Sequence, residues 1–555
     1  MTTKNGFNSE AQSTIQVPEE NIPVPAEETT LVLNEQTNYV PKKTIIIIFL
    51  ACSTVDLLAL MDQTTLAASL TIVSKDLNAS SERAWIAGAY FLTSTSFQLL
   101  YGRLSDIWSR KVLLLIGIFI FFFGSLAASL AQSAMQLIVF RAFMGVGGGG
   151  LMTMAQLIIS DIVPLRERGK YQGILGAVVA LSNGIGPIVG GAIASQSHDS
   201  WRWIFRLNLF ISILTTGCVV FFMPLRKVNG NWKQKVAAID FFGVFLALAG
   251  STLLVLSLTW AGGEYKWESV QVICNLAAGI IISASFICWQ WKGTTIPLIP
   301  MEIFKSRVVN GASLTMFVNG WNFLVQIYYI PSFYQLVYGY SAVKAASLLL
   351  PITLTQMIHW TGRYRECLLV GWGIWAIGLG LISTLDSPSL AQQVCYGLLA
   401  GLGLGNTLQP SLIAVQAGTE RKHMAVVTST RNFIRNLGGT LGLAISGTII
   451  NNSVRSSLES FSLNISQMSL ALDSPDLFRH TFGTQRAELV RIALASAYKR
   501  GFRIIFIVGA ALNALAFVAA WFLMPQVELN REDDAQLKEE GKRREEAKHE
   551  KSSSA

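Results

Sequence analysis

The stretch from Gly173 to Gly191, GILGAVVALSNGIGPIVGG, decides how this chain folds. It is apolar enough to lie in lipid, yet it holds six glycines, the amide of Asn183 and Pro187. An interior glycine costs a water-exposed helix about 1 kcal/mol relative to alanine, and a proline removes a backbone hydrogen bond. A spanning helix keeps such residues where a neighbouring helix packs closely or where its backbone bends beside a cavity. The stretch therefore predicts a closely packed membrane helix.

The composition of the whole chain indicates a polytopic membrane protein. Of its 555 residues, 51% are hydrophobic and 14% are charged, whereas soluble domains carry about 25% charged residues. The net charge of +9 requires no nucleic acid, because cytoplasmic loops are normally rich in Lys and Arg. No ATP-binding loop, metalloprotease motif or metal-ligand spacing of cysteines occurs. We therefore expect no enzyme activity, no metal and no cofactor.

A membrane span needs about 20 apolar residues, and fourteen stretches approach that length. They lie near 44–67, 84–101, 112–131, 136–158, 171–194, 203–224, 240–260, 270–290, 310–331, 341–358, 366–384, 392–416, 433–451 and 503–524. Polar and acidic residues 1–43 predict a disordered tail, and residues 525–555 a charged tail. A long polar loop is expected at 452–501.

Charge and sequons indicate the orientation. With the N-terminus inside, the short inner segments hold nineteen Lys and Arg residues and the short outer ones hold six. This asymmetry predicts that both termini are cytoplasmic. The Asn-x-Ser sequons at Asn78, Asn451 and Asn464 all fall in predicted outer loops, where glycosylation would occur.

The spacing of small residues in the opening stretch resembles the antiporter signature of the major facilitator superfamily. The matching positions are Gly173, Ser182, Gly186, Pro187, Gly190 and Gly191. The order of six, two and six spans resembles the fourteen-span drug:proton antiporter branch, with fungal members most similar. This resemblance implies two six-helix bundles, at 44–224 and 301–524, with two additional spans inserted at 225–300. It also implies proton-coupled exchange.

Two carboxylates lie in the first span. A charged side chain inside a membrane helix costs roughly 2.5 to 3.5 kcal/mol on insertion scales, so it usually has a function. Asp56 and Asp62 are about 240° apart around a helix and do not share a face. The run from Leu60 to Thr64, LMDQT, resembles the first-span motif of drug antiporters. Asp62 is therefore preferred for proton or substrate binding and Asp56 is second, while a helix-end role for Asp62 stays open.

The sequence from Gly102 to Lys111, GRLSDIWSRK, resembles the superfamily's loop motif, which latches the two bundles on the cytoplasmic side. Glycine permits a tight turn, and Asp106 can accept from backbone N–H groups of the next helix and pair with Arg110. The family often has arginine where Ile107 stands. The resemblance assigns gating to Gly102, Asp106, Arg110 and Lys111.

The fourth span carries Arg141 and a run of glycines to Gly150. A guanidinium group keeps its charge, so it must find an anion, carbonyl groups or water. The pattern resembles the family motif in which this arginine takes part in proton transfer. We expect Arg141 to partner Asp62; the alternative is an arginine that reaches the outer interface.

Amides in the apolar walls suit amphipathic organic substrates. If the family fold holds, the candidates that line the central cavity are Asn183, Asn319, Asn322, Gln326, Asn406 and Gln409. Each is also suited to hydrogen bonding between helices. The thirteenth span begins near Arg431 and Arg435.

The tenth span, Ser341 to Ile358, is convincingly apolar only from Ala345 to Leu354, which is marginal for a span. The residues from His359 to Arg365 resemble the end of a loop found in relatives. We therefore predict an internal deletion near Thr355 to Ile358, which would thin a cavity-lining helix.

These features predict a multi-pass membrane protein that exports small organic compounds such as drugs, toxins or secondary metabolites in exchange for protons. A monomer in contact with membrane lipid is expected, in the plasma membrane ahead of the vacuolar membrane. Two alternatives stay open. One is a vacuolar transporter of basic amino acids, which would need acidic groups in its cavity, and the other is a transport-impaired sensor or scaffold.

Overall fold

The computed structural model describes most of the chain between Lys42 and Gln526. The described residues are 42–77, 79, 82–163, 165–197, 199–223, 239–261, 265–354, 363–386, 389–419, 423–459, 467 and 480–526. Their secondary structure is helical apart from one isolated bridge between Ala261 and Tyr265. The all-α prediction is confirmed for these residues. The two predicted tails lie almost entirely outside them.

Six helices make up the N-terminal group. They are α1 (Lys42–Asp76), α2 (Arg83–Ile107), α3 (Arg110–Ser129), α4 (Ala134–Ile162), α5 (Leu165–Ala194) and α6 (Arg202–Phe222). Most extend beyond the predicted apolar spans, because polar residues at a helix end can continue the same backbone hydrogen bonds. The first span, for example, continues to Asp76.

In the described part of the C-terminal group, the chain forms seven α-helices. They are α9 (Arg307–Tyr338), α10 (Ala342–Ser347), α11 (Leu350–Leu354), α12 (Tyr364–Ile382), α13 (Leu390–Ala417), α14 (Met424–Glu459) and α15 (Thr484–Leu523). Gly339 ends α9 with a left-handed φ of 67°, a conformation that glycine adopts without steric cost.

Between the groups in sequence, the described residues form the long helices α7 (Phe241–Trp260) and α8 (Val270–Cys288). They pack on each other through small residues, since a Cβ added at Gly250 would lie 2.6 Å from Ser283 Oγ. The first of them, α7, lies against both groups: Ser251 Oγ is 3.4 Å from Ser96 Oγ of α2, and Thr448 of α14 donates to Leu258 O. It therefore covers the seam between α2 and α14.

Several predicted boundaries are wrong in the C-terminal group. The thirteenth span, predicted at 433–451, begins at Met424, and the predicted loop 452–501 is helical up to Glu459 and again from Thr484. Asn451 consequently lies within α14, with an exposed side chain, rather than in a loop. Asn78 and Asn464, the other predicted glycosylation sites, lie outside the described residues.

The tenth span is short in the structure as well. Its apolar helical stretch runs only from Ala342 to Ile352, and it is interrupted between α10 and α11. Eleven of the described helices are long and apolar enough to cross a membrane. The long helices α2 and α9 are not among them, because both carry many buried polar residues. The predicted deletion site, Thr355 to Ile358, falls outside the described residues.

Glycines in α4 bring α2 and α3 against it. A Cβ at Gly147 would lie 2.5 Å from Gly117 O, and one at Gly149 would lie 2.4 Å from Ser94 O. Any larger side chain there would push the helices apart, which explains why the run at 147–150 is all glycine. This close packing fixes α4, and with it Arg141, relative to α2.

Candidate functional site

Asp62 and Arg141 form an ion pair inside the N-terminal group. Arg141 Nη1 donates to Asp62 Oδ2 at 2.5 Å, and both side chains are fully buried. The arginine does not reach an interface, so the alternative expectation of an exposed guanidinium group is wrong. Asn208 Nδ2 of α6 donates to the second carboxylate oxygen, Asp62 Oδ1, at 2.7 Å. Three helices thus supply one buried charged cluster.

Two tyrosines surround this cluster. The guanidinium carbon of Arg141 lies 4.6 Å from the centre of the Tyr90 ring of α2, a favourable cation–π position. Tyr328 of α9 donates its hydroxyl to Gln63 O at 3.1 Å, next to Asp62 in sequence. A C-terminal helix therefore touches α1 beside the ion pair. Arg141 Nε and Nη2 have no hydrogen-bond partner in the described part of the chain, which leaves them for water or substrate.

Asp56 lies deeper in α1 and stands apart from this pair. Its side chain is 2% exposed, and its Oδ1 has no hydrogen-bond partner among the described residues. Within this part of the chain Asp56 has no ion-pair partner, whereas Asp62 is paired with Arg141. Asp56 and Asp62 are therefore two different sites, as the helical angle predicts.

The small residues of α5 face two neighbours. A Cβ at Gly186 would lie 2.0 Å from Thr64 Oγ1, and one at Gly190 would lie 2.1 Å from Thr65 O, both in α1. Thr64 Oγ1 also donates to Ser182 O at 3.2 Å. The next residue of α5, Gly191, approaches the backbone of Ala342 in α10. The helix with the antiporter pattern thus links α1 to the C-terminal group; its Pro187 is buried and within the helix.

The loop motif ties helix ends together. Arg110 Nη1 donates to Leu157 O of α4 at 3.0 Å, and Lys111 Nζ donates to Val220 O and Met223 O at the end of α6. A Cβ at Gly102 would lie 2.3 Å from the Cβ of Ser429 in α14. We call this end of the helices the Arg110 end and the opposite one the Asp76 end. The Asp106 side chain and the surroundings of Gly173 are not described, so their assigned roles stay predictions.

Hydrogen bonds join the two groups at both ends. At the Arg110 end, Asn432 Nδ2 donates to Gln156 Oε1 at 2.9 Å, and Gln416 Nε2 donates to Ser160 Oγ at 2.8 Å. Towards the Asp76 end, Gln335 Nε2 of α9 donates to Ala68 O at 3.4 Å. Opening either end requires these neutral contacts to break, and each contributes about 0.5 to 1.5 kcal/mol.

Four of the predicted cavity amides lie in the buried interior. Asn319 donates to Thr407 Oγ1 at 3.0 Å, and Gln326 bonds back to its own helix. Gln409 is buried. Asn183 has no partner for either polar side-chain atom in the described part of the chain. A buried amide without a partner is costly, so Asn183 is the amide best suited to meet a substrate.

Asn322 and Asn406 bond elsewhere. Asn322 Nδ2 donates to Gly509 O and Asn513 Oδ1 of α15. Asn406 bonds to its own helix, and its Cβ packs where Gly371 of α12 leaves room. Both contacts support the alternative role of joining helices.

Two arginines that the sequence indicated only as the start of a span are buried in α14. Arg431 donates to Ser411 Oγ, to Asn432 Oδ1 and to Leu408 O, and Arg435 Nε donates to Asn319 Oδ1 at 2.8 Å. The sequence placed them at the start of the span, because the apolar run begins after Arg431. The helix itself begins at Met424, so both arginines lie within it. Their spacing of four residues was the available signal.

Comparison with known proteins identifies the family. The sequence model of the Major Facilitator Superfamily matches residues 53–443. The chain is 32% identical over 505 residues to citrate exporter 1 of Yarrowia lipolytica, covering 88% of this chain and 74% of that protein. It is 30% identical over 496 residues to the MFS-type efflux pump LUC4 of Fusarium sp, covering 86% of this chain and 87% of that protein.

Solved structures agree on the fold. A bacterial homologue of the human lysosomal transporter Spinster, in an inward-facing and unoccupied conformation, superposes with a TM-score of 0.55 at 17% identity. That match covers 87% of this chain and 98% of the other. The relatives are fungal transporters and efflux pumps rather than enzymes. This chain therefore belongs to the Major Facilitator Superfamily and is a multi-pass membrane transporter.

Proposed function

We propose that this transporter is a proton-coupled antiporter that exports small organic compounds. The observation that carries the proposal is the fully buried pair of Asp62 and Arg141, with Asn208 on the second carboxylate oxygen. A carboxylate held this way can exchange a proton only if its contact with Arg141 loosens. The names of the relatives, an exporter and several efflux pumps, support the direction and the small-molecule cargo.

Protonation of Asp62 provides the coupling step. A neutral carboxyl group loses most of its attraction for Arg141, whose Nε and Nη2 already have no partner in the described residues. The freed guanidinium group then turns to water, and the accompanying shift of α1 weakens the substrate site. Release of the proton restores the ion pair and, with it, the arrangement that binds substrate. Proton and substrate therefore compete, which is what exchange requires.

The α5 helix transmits the change. It contacts α1 through Gly186 and Gly190, which lie against Thr64 and Thr65 in the turn that follows Asp62, and α10 through Gly191. Small residues allow α1 and α5 to slide without unpacking. A shift of α1 on protonation therefore reaches the C-terminal group, and the neutral contacts at the Arg110 end, including Gly102 on Ser429, open or close in response.

The positive charges at the Arg110 end favour its placement in the cytoplasm, with both termini on that side. With this orientation the transporter exchanges cytoplasmic solute for outer protons. We place it as a monomer in the plasma membrane, ahead of the vacuolar membrane.

The alternative of a carrier for basic amino acids loses support from the charges in the core. In the described residues Asp62 is already paired, whereas Arg431 and Arg435 have no acidic partner. The part of the interior beside these two arginines therefore disfavours cations, while Asp56 of α1 is the one buried carboxylate of the described residues left for such a substrate. The short tenth span suggests a second alternative, that the protein is impaired in transport. The following test distinguishes it from an active exporter.

The test uses the full chain expressed in yeast that lacks its own major efflux pumps. Cells are loaded with rhodamine 6G or fluorescein, and retention is measured with and without a protonophore. We expect lower retention of at least one dye, reversed by the protonophore and absent in Asp62→Asn. Retention equal to that of empty cells for both dyes, with normal surface expression, would support the transport-impaired reading. Extrusion that the protonophore leaves unchanged would contradict proton coupling.

A further inference from the structure

Arg431 and Arg435 lie on one face of α14. They are 2% and 6% exposed. Residues four apart on a helix are neighbours, with about 5 to 6 Å between their Cβ atoms. Two positive charges thus stand one turn apart inside the C-terminal group, where their mutual repulsion and the loss of hydration both disfavour the folded chain.

Every partner of these arginines is neutral. Arg431 is held by the hydroxyl of Ser411, the amide of Asn432 and the carbonyl of Leu408. Arg435 has one hydrogen bond, from Nε to Asn319 Oδ1. Its guanidinium carbon lies 4.5 Å from the centre of the Phe323 ring. The two terminal nitrogens of Arg435 make no hydrogen bond within the described part of the chain.

No buried carboxylate of the described chain pairs with these two arginines. The buried charged residues of the described chain are Asp56, Asp62, Arg141, Asp240, Arg431 and Arg435. Asp62 is paired with Arg141, and Asp240 accepts hydrogen bonds from Gly243, Trp289 and Gln290 beside α7. Asp56 forms no ion pair within the described residues. The C-terminal group therefore keeps two positive charges whose natural partner comes from outside the chain.

We propose that Arg435, with Arg431 beside it, binds the carboxylate of an organic anion, and that such anions are substrates of this transporter. The inference rests on the proposed export function and names its substrate class. The planar fork of a guanidinium group matches a carboxylate with two parallel hydrogen bonds, and Arg435 has two terminal nitrogens to offer. Phe323 supplies an apolar wall for the carbon skeleton. A second acidic group on the same molecule reaches the charge of Arg431, so compounds with two or more carboxylates bind better than those with one.

The site is connected to the contact between the helix groups. Arg431 Nη1 donates to Asn432 Oδ1 at 3.0 Å, and Asn432 Nδ2 donates to Gln156 Oε1 of α4 at 2.9 Å. An anion that changes the position of Arg431 therefore changes this bridge at the Arg110 end. Substrate binding is in this way linked to the contact between the two helix groups.

The test measures binding to the purified full chain in nanodiscs without a proton gradient. The probes are succinate, tricarballylate and the uncharged trimethyl ester of tricarballylate, and the readout is the melting temperature. We expect tricarballylate to raise it more than succinate and the ester to leave it unchanged. Arg435→Gln should weaken tricarballylate binding about tenfold or more, which is the loss of one charged hydrogen-bonded contact.

Two further variants separate this effect from misfolding. Asn319→Asp places a carboxylate beside Arg435 and should abolish anion binding while the protein stays folded. Arg435→Lys keeps the positive charge and should retain part of the anion binding. Arg363→Gln, at an exposed arginine, is the matched control and should bind as the native chain does.

The inference is overturned if neither carboxylate raises the melting temperature of the native chain at concentrations up to about 10 mM, a range that detects millimolar affinity. It is equally overturned if Asn319→Asp and Arg435→Gln bind tricarballylate normally. Failure of the export function appears instead in the dye assay, because binding here needs no proton gradient.

Discussion

Arg141 Nη1 lies 2.5 Å from Asp62 Oδ2, and both side chains are completely buried. The pair belongs to α4 and α1, and its second oxygen is bound by Asn208 of α6. A buried ion pair of this kind is a poor device for stability alone, since well-packed apolar residues would do as well. The pair therefore fits the proposed role, in which its charge changes during the transport cycle.

Removing only the carboxylate should destabilise the protein strongly. In Asp62→Asn, Arg141 is left buried without a counter-charge, which costs about 3 to 5 kcal/mol. Adding Arg141→Gln should recover part of this loss, because no buried charge then remains. Thermal unfolding of the purified variants measures both effects. A double variant less stable than Asp62→Asn would contradict the pairing.

Asn208 should act as a positioning residue. Asn208→Leu removes the hydrogen bond to Asp62 Oδ1. A hydrogen bond to an ionised carboxylate contributes about 1.5 to 3 kcal/mol, and the variant should lose that contribution. The carboxylate then loses one of its two contacts and is held less firmly against Arg141, so dye extrusion should fall by about tenfold or more. Asn208→Asp tests the same contact by like-charge repulsion and should lower extrusion as well. Extrusion equal to that of the native chain in both variants would count against this role.

The glycines of α5 should tolerate no side chain towards α1. In Gly190→Ala the new Cβ would lie 2.1 Å from Thr65 O, a backbone atom that cannot move aside alone. Transport should fall by about tenfold or more, since overpacking of this kind typically costs 1 to 3 kcal/mol. Gly217→Ala, where nothing lies within 4 Å, is the matched control. Equal activity of the two variants would show that α1 and α5 do not need close contact.

Gly102 should be coupled to Ser429 across the two helix groups. Gly102→Ala places a Cβ 2.3 Å from the Cβ and Oγ of Ser429, so it should hold the Arg110 end apart and lower dye extrusion. Ser429→Gly removes both clashing atoms, and the double variant should regain activity. Gly88→Ala, with open space around it, serves as control. A double variant no better than Gly102→Ala would place the defect elsewhere.

The sequence was sufficient for the parts of this fold that depend on local composition. Long apolar runs located the helices, and the small residues of α5 located the close approach to α1. A charged side chain inside an apolar span needs a partner, and this requirement led to the expected contact between Asp62 and Arg141. These signals are strong because lipid leaves a charged or small residue few roles.

Other features depend on neighbours that no local pattern reveals. In the sequence Asn208 is a single amide within an apolar run. Its contact with Asp62 depends on how α6 packs on α1, which the local sequence does not reveal. Arg431 and Arg435 were placed at the start of a span, because hydropathy detects the lipid-crossing part of α14 and not the turns before it. Asn322 and Asn406 illustrate the reverse error, since an amide in a central helix can face an outer one.

The central claim, that Asp62 couples protons to substrate, is tested most directly by proton movement in proteoliposomes. The full chain and Asp62→Asn are reconstituted around a pH-sensitive dye, and the organic probe that cells extrude is added. The native chain should move protons against the probe, whereas Asp62→Asn should still exchange probe for probe without moving protons. Asp199→Asn, at an exposed carboxylate, should behave as the native chain. Probe-driven proton movement that persists in Asp62→Asn would contradict the account.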